Sequence, residues 1–221
     1  MTLLRLFAVL ALLFVVSVSA SAADDPKPDK DGWYSLFNGK DLAGWKVTKD
    51  NPDTFKVENG EIVAHGPVAH IFYDGPVEKG NFKNFHWKCE IMTKPQANSG
   101  MYFHTKYQKD GWPKVGIECQ VNNTHPDPRK TGSVYKLADV MNDSPAKDNE
   151  WFTQEVIVQG NKIVVKVNDK VVTEYTQPKD LVREEGWEKN LISPTGGTFA
   201  LQGHDPDSET HYRKVLVKPL P

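Results

Sequence analysis

Cysteine is nearly missing from this chain: Cys89 and Cys119 are the two in 221 residues. That is too few for a disulfide framework, and leaves either one bridge or two buried thiols. Neither lies near the apolar N-terminal stretch, which removes a lipid anchor there. Blocks of like charge are also absent, and no basic stripe appears, so nucleic acid and a membrane surface are poor partners. Glycine-rich phosphate loops of the P-loop or dinucleotide type do not occur. There is no G-x-S-x-G nucleophile elbow and no H-E-x-x-H metal helix. Helical periodicity is scarce, and no internal repeat is visible.

One long apolar run exists. "MTLLRLFAVLALLFVVSVSASAADD" carries Arg5, an apolar core and a small-residue Ala20-Ser21-Ala22 ending. That is the plan of a cleavable secretory signal over residues 1–22. No second such run follows, so no membrane association is expected after cleavage, and the location expected is secreted or periplasmic. Residues 23–31 read as a charged, proline-bearing, poorly ordered linker, and residues 32–221 as one domain.

The remainder reads as strands and turns. Candidates are residues 54–64, 82–93, 99–108, 115–122, 133–140, 152–176, 197–204 and 212–219, with a short helix near 178–186. Asn59-Gly60, Gly160-Asn161 and Asn168-Asp169 are hairpin turns by residue type. Many short strands with regular turns predict an all-β sandwich or barrel.

Alternation sorts the side chains onto two faces. Phe85, Trp87, Cys89 and Ile91 share one side of their strand; Ile117, Cys119 and Val121 share one side of theirs. Met101 and Phe103 oppose Tyr102 and His104. Phe199 and Leu201 oppose Gln202 and, past Gly203, His204. Arg213 falls in phase with Val215 and Val217. The polar faces thus collect Tyr102, His104, Glu118, Gln120, Gln202 and His204. Amides and carboxylates hydrogen-bond hydroxyls, and aromatic rings such as Tyr107 and Trp112 cover sugar rings, so a carbohydrate suits this set better than a nucleotide. Glu90 and Glu118 are a possible carboxylate pair.

Five blocks occur in order: "GWYSLFNGKDLAGWKV", "ANSGMYFH", "GIECQVNN", "KTGSVYKL" and "FALQGHDPDSETHYRKVLVKPL". Together they resemble the 3-keto-disaccharide hydrolase domain family over roughly residues 32 to 220. The resemblance implies a concanavalin A-like jelly roll: a two-sheet antiparallel sandwich with a sugar-sized groove. It also implies cleavage of glycosides oxidised at C3, by removal of the C2 proton and elimination of the C1 aglycone. His104, Glu118 and His204 are then the candidates for proton transfer. Tyr102, Gln120, Gln202 and Arg213 are candidates for binding substrate or the enolate. A divalent metal ion is a possible cofactor, and oligomeric state is left open. The rival reading is a non-catalytic carbohydrate-binding module of the same fold. A third is a structural domain with no ligand.

Overall fold

A computed structural model describes residues 26–221; the expected signal segment lies outside the described residues. Among the described residues, thirteen strands form two antiparallel sheets. They are β1 (Tyr34–Ser35), β2 (Trp45–Val47), β3 (Phe55–Glu58), β4 (Glu61–His65) and β5 (Ala69–Tyr73). Then come β6 (Phe85–Thr93), β7 (Asn98–Thr105), β8 (Ile117–Asn122) and β9 (Phe152–Gln159). β10 (Lys162–Val167), β11 (Lys170–Thr176), β12 (Thr198–Gly203) and β13 (Glu209–Pro219) complete the set. One sheet runs β11-β10-β9-β6-β13-β4-β3, with β1 also paired to β13; the other runs β2-β5-β12-β7-β8. The architecture is the expected jelly-roll sandwich.

The core lies between the sheets and follows the alternation. β6 alternates buried and half-buried residues throughout, with Phe85, Trp87, Cys89 and Ile91 inside. Phe199 of β12 stacks on Trp87 (4.3 Å between ring centres) and on Phe82 (4.4 Å). These large fully buried rings carry much of the apolar burial that stabilises the sandwich. Tyr212 reaches across from β13 and shares a hydrogen bond with Ser99 Oγ of β7 (2.6 Å). Ser99 also donates to the Gln202 carbonyl, which fixes β7 and β12 against each other.

The choice left open for the cysteines falls to the thiols: Cys89 and Cys119 face the core from opposite sheets and are unbridged. Other expectations are corrected. Residues 133–140 form no named strand, and 178–186 form turns rather than a helix. Part of the expected linker is ordered: Asp29 Oδ1 accepts the Asp31 and Trp33 amides, both at 2.9 Å.

Of the three register shifts among the described strands, two reset the side-chain phase at expected site residues. On β7, Tyr102 pairs with Ala200 and Thr105 with Thr198, so two residues oppose Phe199 alone. On β13, Arg213 pairs with Glu90 and Leu216 with Lys88, so Lys214 and Val215 oppose Cys89 alone. An extra residue turns the following side chains to the other face. His104 and Lys214 sit at these irregularities with φ of 53° and 47°.

Candidate functional site

A cleft of about 730 Å3 opens on the outer face of the five-stranded sheet. Its floor comes from β7, β8 and β12, where alternation points Tyr102, Glu118, Gln120 and Gln202 away from the core. These four predicted residues come together. The Tyr102 hydroxyl donates to Glu118 Oε2 (2.8 Å), and Gln202 Nε2 donates to Glu118 Oε1 (3.2 Å) and to the Tyr102 oxygen (2.9 Å). With its amide nitrogen inward, Gln120 donates to Glu118 Oε1 (3.1 Å) and to the Ser99 carbonyl (3.0 Å). Gly100 leaves room for the carboxylate: a Cβ there would stand 2.4 Å from Glu118 Oε1.

Burial raises the Glu118 pKa from its ordinary 4.5 to about 7, against the lowering effect of the Tyr102 and Gln202 hydrogen bonds; Asp127 adds a smaller push upward. Such a carboxyl exchanges its proton near neutral pH.

Loops build the walls. Residues 131–135 run along the β8 edge, where Gln120 N–H donates to Ser133 O (2.9 Å) and Tyr135 N–H to Glu118 O (3.0 Å). This covers the sheet edge and sets Tyr135 beside the carboxylate. Trp187 stacks on Tyr135 at 5.7 Å. Across the cleft, Trp112 lies edge-on to His204 (5.2 Å) and His70 (5.6 Å). Asn190 Nδ2 donates to the Gly116 carbonyl (2.8 Å), tying two of these loops together. Lys114 and Lys189 bring cationic side chains to the lining.

His204 lies in the lining, and Asp205 Oδ2 holds its Nδ1 at 2.6 Å. The glycine between Gln202 and His204 serves a close approach: a Cβ on Gly203 would meet Thr54 Cγ2 at 2.3 Å. His70, opposite Gln202 in the β5–β12 pairing, is fully buried rather than at the surface. Burial lowers its pKa to about 3, which keeps its ring neutral.

Three expected members stand elsewhere. His104 is buried behind the sheet because of the β7 bulge. Its Nε2 hydrogen-bonds the Lys83 carbonyl (3.0 Å), and Nδ1 accepts the Ser193 N–H (3.1 Å). Arg213 lies on the outer face of the other sheet, donating to Glu90 Oε2 (2.7 Å) and lying over Trp151 at 3.8 Å. The β13 bulge puts it on the opposite face from Val215 and Val217. Glu90, pinned by Arg213 and Lys214, forms no pair with Glu118.

His125, His204 and Asp205 could offer metal ligand atoms within 4.8 Å of one another. Asp205 and the Nδ1 atoms of both histidines already hold hydrogen bonds, whereas neither Nε2 does. Asp205 accepts from Ser208 Oγ (2.8 Å) and the Asp207 amide (2.9 Å) besides His204, and His125 Nδ1 accepts the Asp127 amide (3.1 Å). A divalent ion held there would have to share the Asp205 carboxylate with these donors.

The model of the 3-keto-alpha-glucoside-1,2-lyase-like domain matches residues 32–218. The chain belongs to this family. A curated relative of the lyase-like domain, the 3-keto-disaccharide hydrolase of Bacteroides thetaiotaomicron, is 28% identical over 233 residues, spanning 87% of this chain and 80% of that one. A solved Parabacteroides distasonis protein, provisionally named a glycosyl hydrolase, superimposes with a TM-score of 0.73 at 24% identity. It covers 86% of this chain and 95% of its own. The exoplasmic/lumenal domain of VIP36, solved with Ca2+ and Man3GlcNAc, matches with a TM-score of 0.56 at 10% identity, over 87% and 90% of the two chains. These two structures share the fold of this lyase-like domain.

Sequence reasoning missed Asn98, Asp127, Tyr135 and Trp187 in the lining. Asn98 was legible as the first residue of the N-S-G block. Tyr135 was legible in the block "KTGSVYKL" in the same way, whereas Trp187 was not, because a loop distant in sequence brings it in.

Proposed function

We propose that this protein is an exported enzyme that cleaves the glycosidic bond of 3-keto-glycosides. The observation that carries the reading is Glu118: a carboxyl that titrates near pH 7, ringed by Tyr102, Gln120 and Gln202, at the floor of a cleft of sugar size.

The ketone at C3 acidifies the C2 proton. His204 Nε2 takes that proton, and the C2 electron pair forms the enolate. The enolate collapses, C3=O reforms, a C1=C2 double bond forms and the C1–O bond breaks. Protonated Glu118 gives its proton to the leaving oxygen. Water then adds at C1, losing a proton to the Glu118 carboxylate, and the imidazolium of His204 returns a proton to C2. The sum is substrate plus water giving the free alcohol and the 3-keto sugar. Lys114 and Lys189 at the rim and the Asn98 amide supply the positive charge and donors that favour the enolate oxygen. Trp112 and Tyr135 supply ring faces for the sugar. The apolar segment at residues 1–22 supports export, with the reaction outside the cytoplasm.

A second reading is a non-catalytic carbohydrate-binding domain. The donors already gathered on both Glu118 oxygens and the VIP36 likeness favour it. Mixing purified protein with an aryl 3-keto-glucoside separates the two. Release of the phenol supports the enzyme. Calorimetric binding of the sugar without release supports the binding domain and overturns the enzyme.

A further inference from the structure

His204 sits between the cleft and a tight turn over residues 205–208. Asp205 begins that turn. Its Oδ1 accepts the Asp207 amide (2.9 Å), and its carbonyl accepts the Ser208 amide (3.1 Å). Its second oxygen, Oδ2, accepts from two donors: Ser208 Oγ (2.8 Å) and His204 Nδ1 (2.6 Å). Ser208 Oγ also accepts the Asn98 amide (2.9 Å), which fastens the turn to the start of β7. Asp205 is therefore held from three sides before it touches the imidazole.

This arrangement decides where the imidazole proton lies. A carboxylate oxygen only accepts, so Nδ1 must carry the hydrogen. In the neutral ring that leaves Nε2 with a free lone pair. The ring is set in place by Trp112 on one side (5.2 Å) and His125 on another (5.4 Å). His125 is fixed in the opposite sense. Its Nδ1 accepts the Asp127 amide, so its neutral form carries the proton on Nε2. Two adjacent histidines thus hold complementary tautomers, one acceptor and one donor.

We propose that Asp205 is a positioning residue, which locks His204 in the Nδ1–H tautomer and so keeps Nε2 as the acceptor for a substrate proton. The inference rests on the proton-transfer role of His204 proposed above. It assigns Asp205 no contact with substrate.

The substitution Asp205→Asn tests it cleanly. The asparagine Oδ1 still accepts the Asp207 amide, so the turn survives. The amide NH2 now stands where Oδ2 stood, and it can only donate. His204 Nδ1 must then become the acceptor, moving the ring proton to Nε2 and removing the free lone pair. In 15N spectra of histidine-labelled wild-type protein at alkaline pH, His204 is expected as the Nδ1–H tautomer. In Asp205→Asn it is expected as Nε2–H, with an unchanged melting temperature. On an aryl 3-keto-glucoside, kcat should fall by about 10²-fold or more, the range of a lost general base, with KM little altered. A wild-type His204 found as Nε2–H overturns the proposal without any assay of activity. So does Asp205→Asn that keeps both the tautomer and kcat. A reversed tautomer with unchanged kcat overturns the role in turnover. If His204→Ala is then fully active as well, the fault lies in the proposed function of His204.

Discussion

Glu118 Oε1 occupies the space a Cβ on residue 100 would need: the two positions are 2.4 Å apart. The glycine of the N-S-G block and the glutamate of the G-x-E-x-Q block thus form one structural unit across β7 and β8. Gly100 lies outside the left-handed region, so alanine is allowed by the backbone there. Gly100→Ala is expected to fold, to push the Glu118 carboxyl out of its ring of donors, and to lower kcat by at least about tenfold. That figure corresponds to roughly 1.4 kcal/mol in the barrier. Steady-state kinetics together with a melting curve checks it.

The Glu118 proton also couples to stability. In the unfolded chain this carboxyl has its ordinary pKa of 4.5; in the fold it is about 7. Between these values the folded state holds a proton that the unfolded state has released. Stability from this group is therefore full below about pH 4.5 and is lost as pH rises through 7, by about 3 kcal/mol in all. Glu118→Gln removes the titration. Denaturant midpoints at pH 5 and pH 8 should show wild type losing stability relative to Glu118→Gln as the pH rises. Parallel pH curves for the two proteins would contradict the placement of the carboxyl.

His104 gives an opposite signature. It is fully buried, bonded to Lys83 O and Ser193 N–H, and edge-on to Phe85 at 5.7 Å. His104→Ala leaves two part-buried backbone groups without their partner and opens a cavity. A loss of about 2–4 kcal/mol of stability is expected. The folded fraction should keep its kcat, as measured by activity per folded molecule below the melting transition.

Arg213 is a tie on the far sheet. Its pair with Glu90 is over a third exposed on the arginine side, and the Trp151 contact is at the surface. Arg213→Ala should cost about 1 kcal/mol or less and leave kcat/KM unchanged. A large fall in kcat/KM would return Arg213 to the site.

The two-sheet fold and the four-residue floor were legible because alternation is a local property. Phe85 to Ile91 and Ile117 to Val121 keep strict phase, and Tyr102, Glu118, Gln120 and Gln202 fall on the side that phase assigns. His104 and Arg213 were misplaced because a bulge is defined by the partner strand. One extra residue against Phe199, or against Cys89, has no mark in its own sequence. β5 escaped notice for another reason. "AHIFY" is buried on both faces, since Tyr107 and Trp112 fold back over His70 and Phe72, and so shows no alternation. The helix expected near residue 180 is a loop whose Trp187 docks on Tyr135, a contact between distant parts of the chain that no local propensity encodes.

The central claim is that the cleft around Glu118 acts through the C3 ketone. Aryl glucoside and its 3-keto form, each given to wild type and to Glu118→Gln, test it most directly by phenol release. Wild type is expected to release phenol from the 3-keto form alone, with Glu118→Gln slowed about 10²-fold or more. Equal release from the unoxidised glucoside, or a Glu118→Gln variant as fast as wild type, would contradict it.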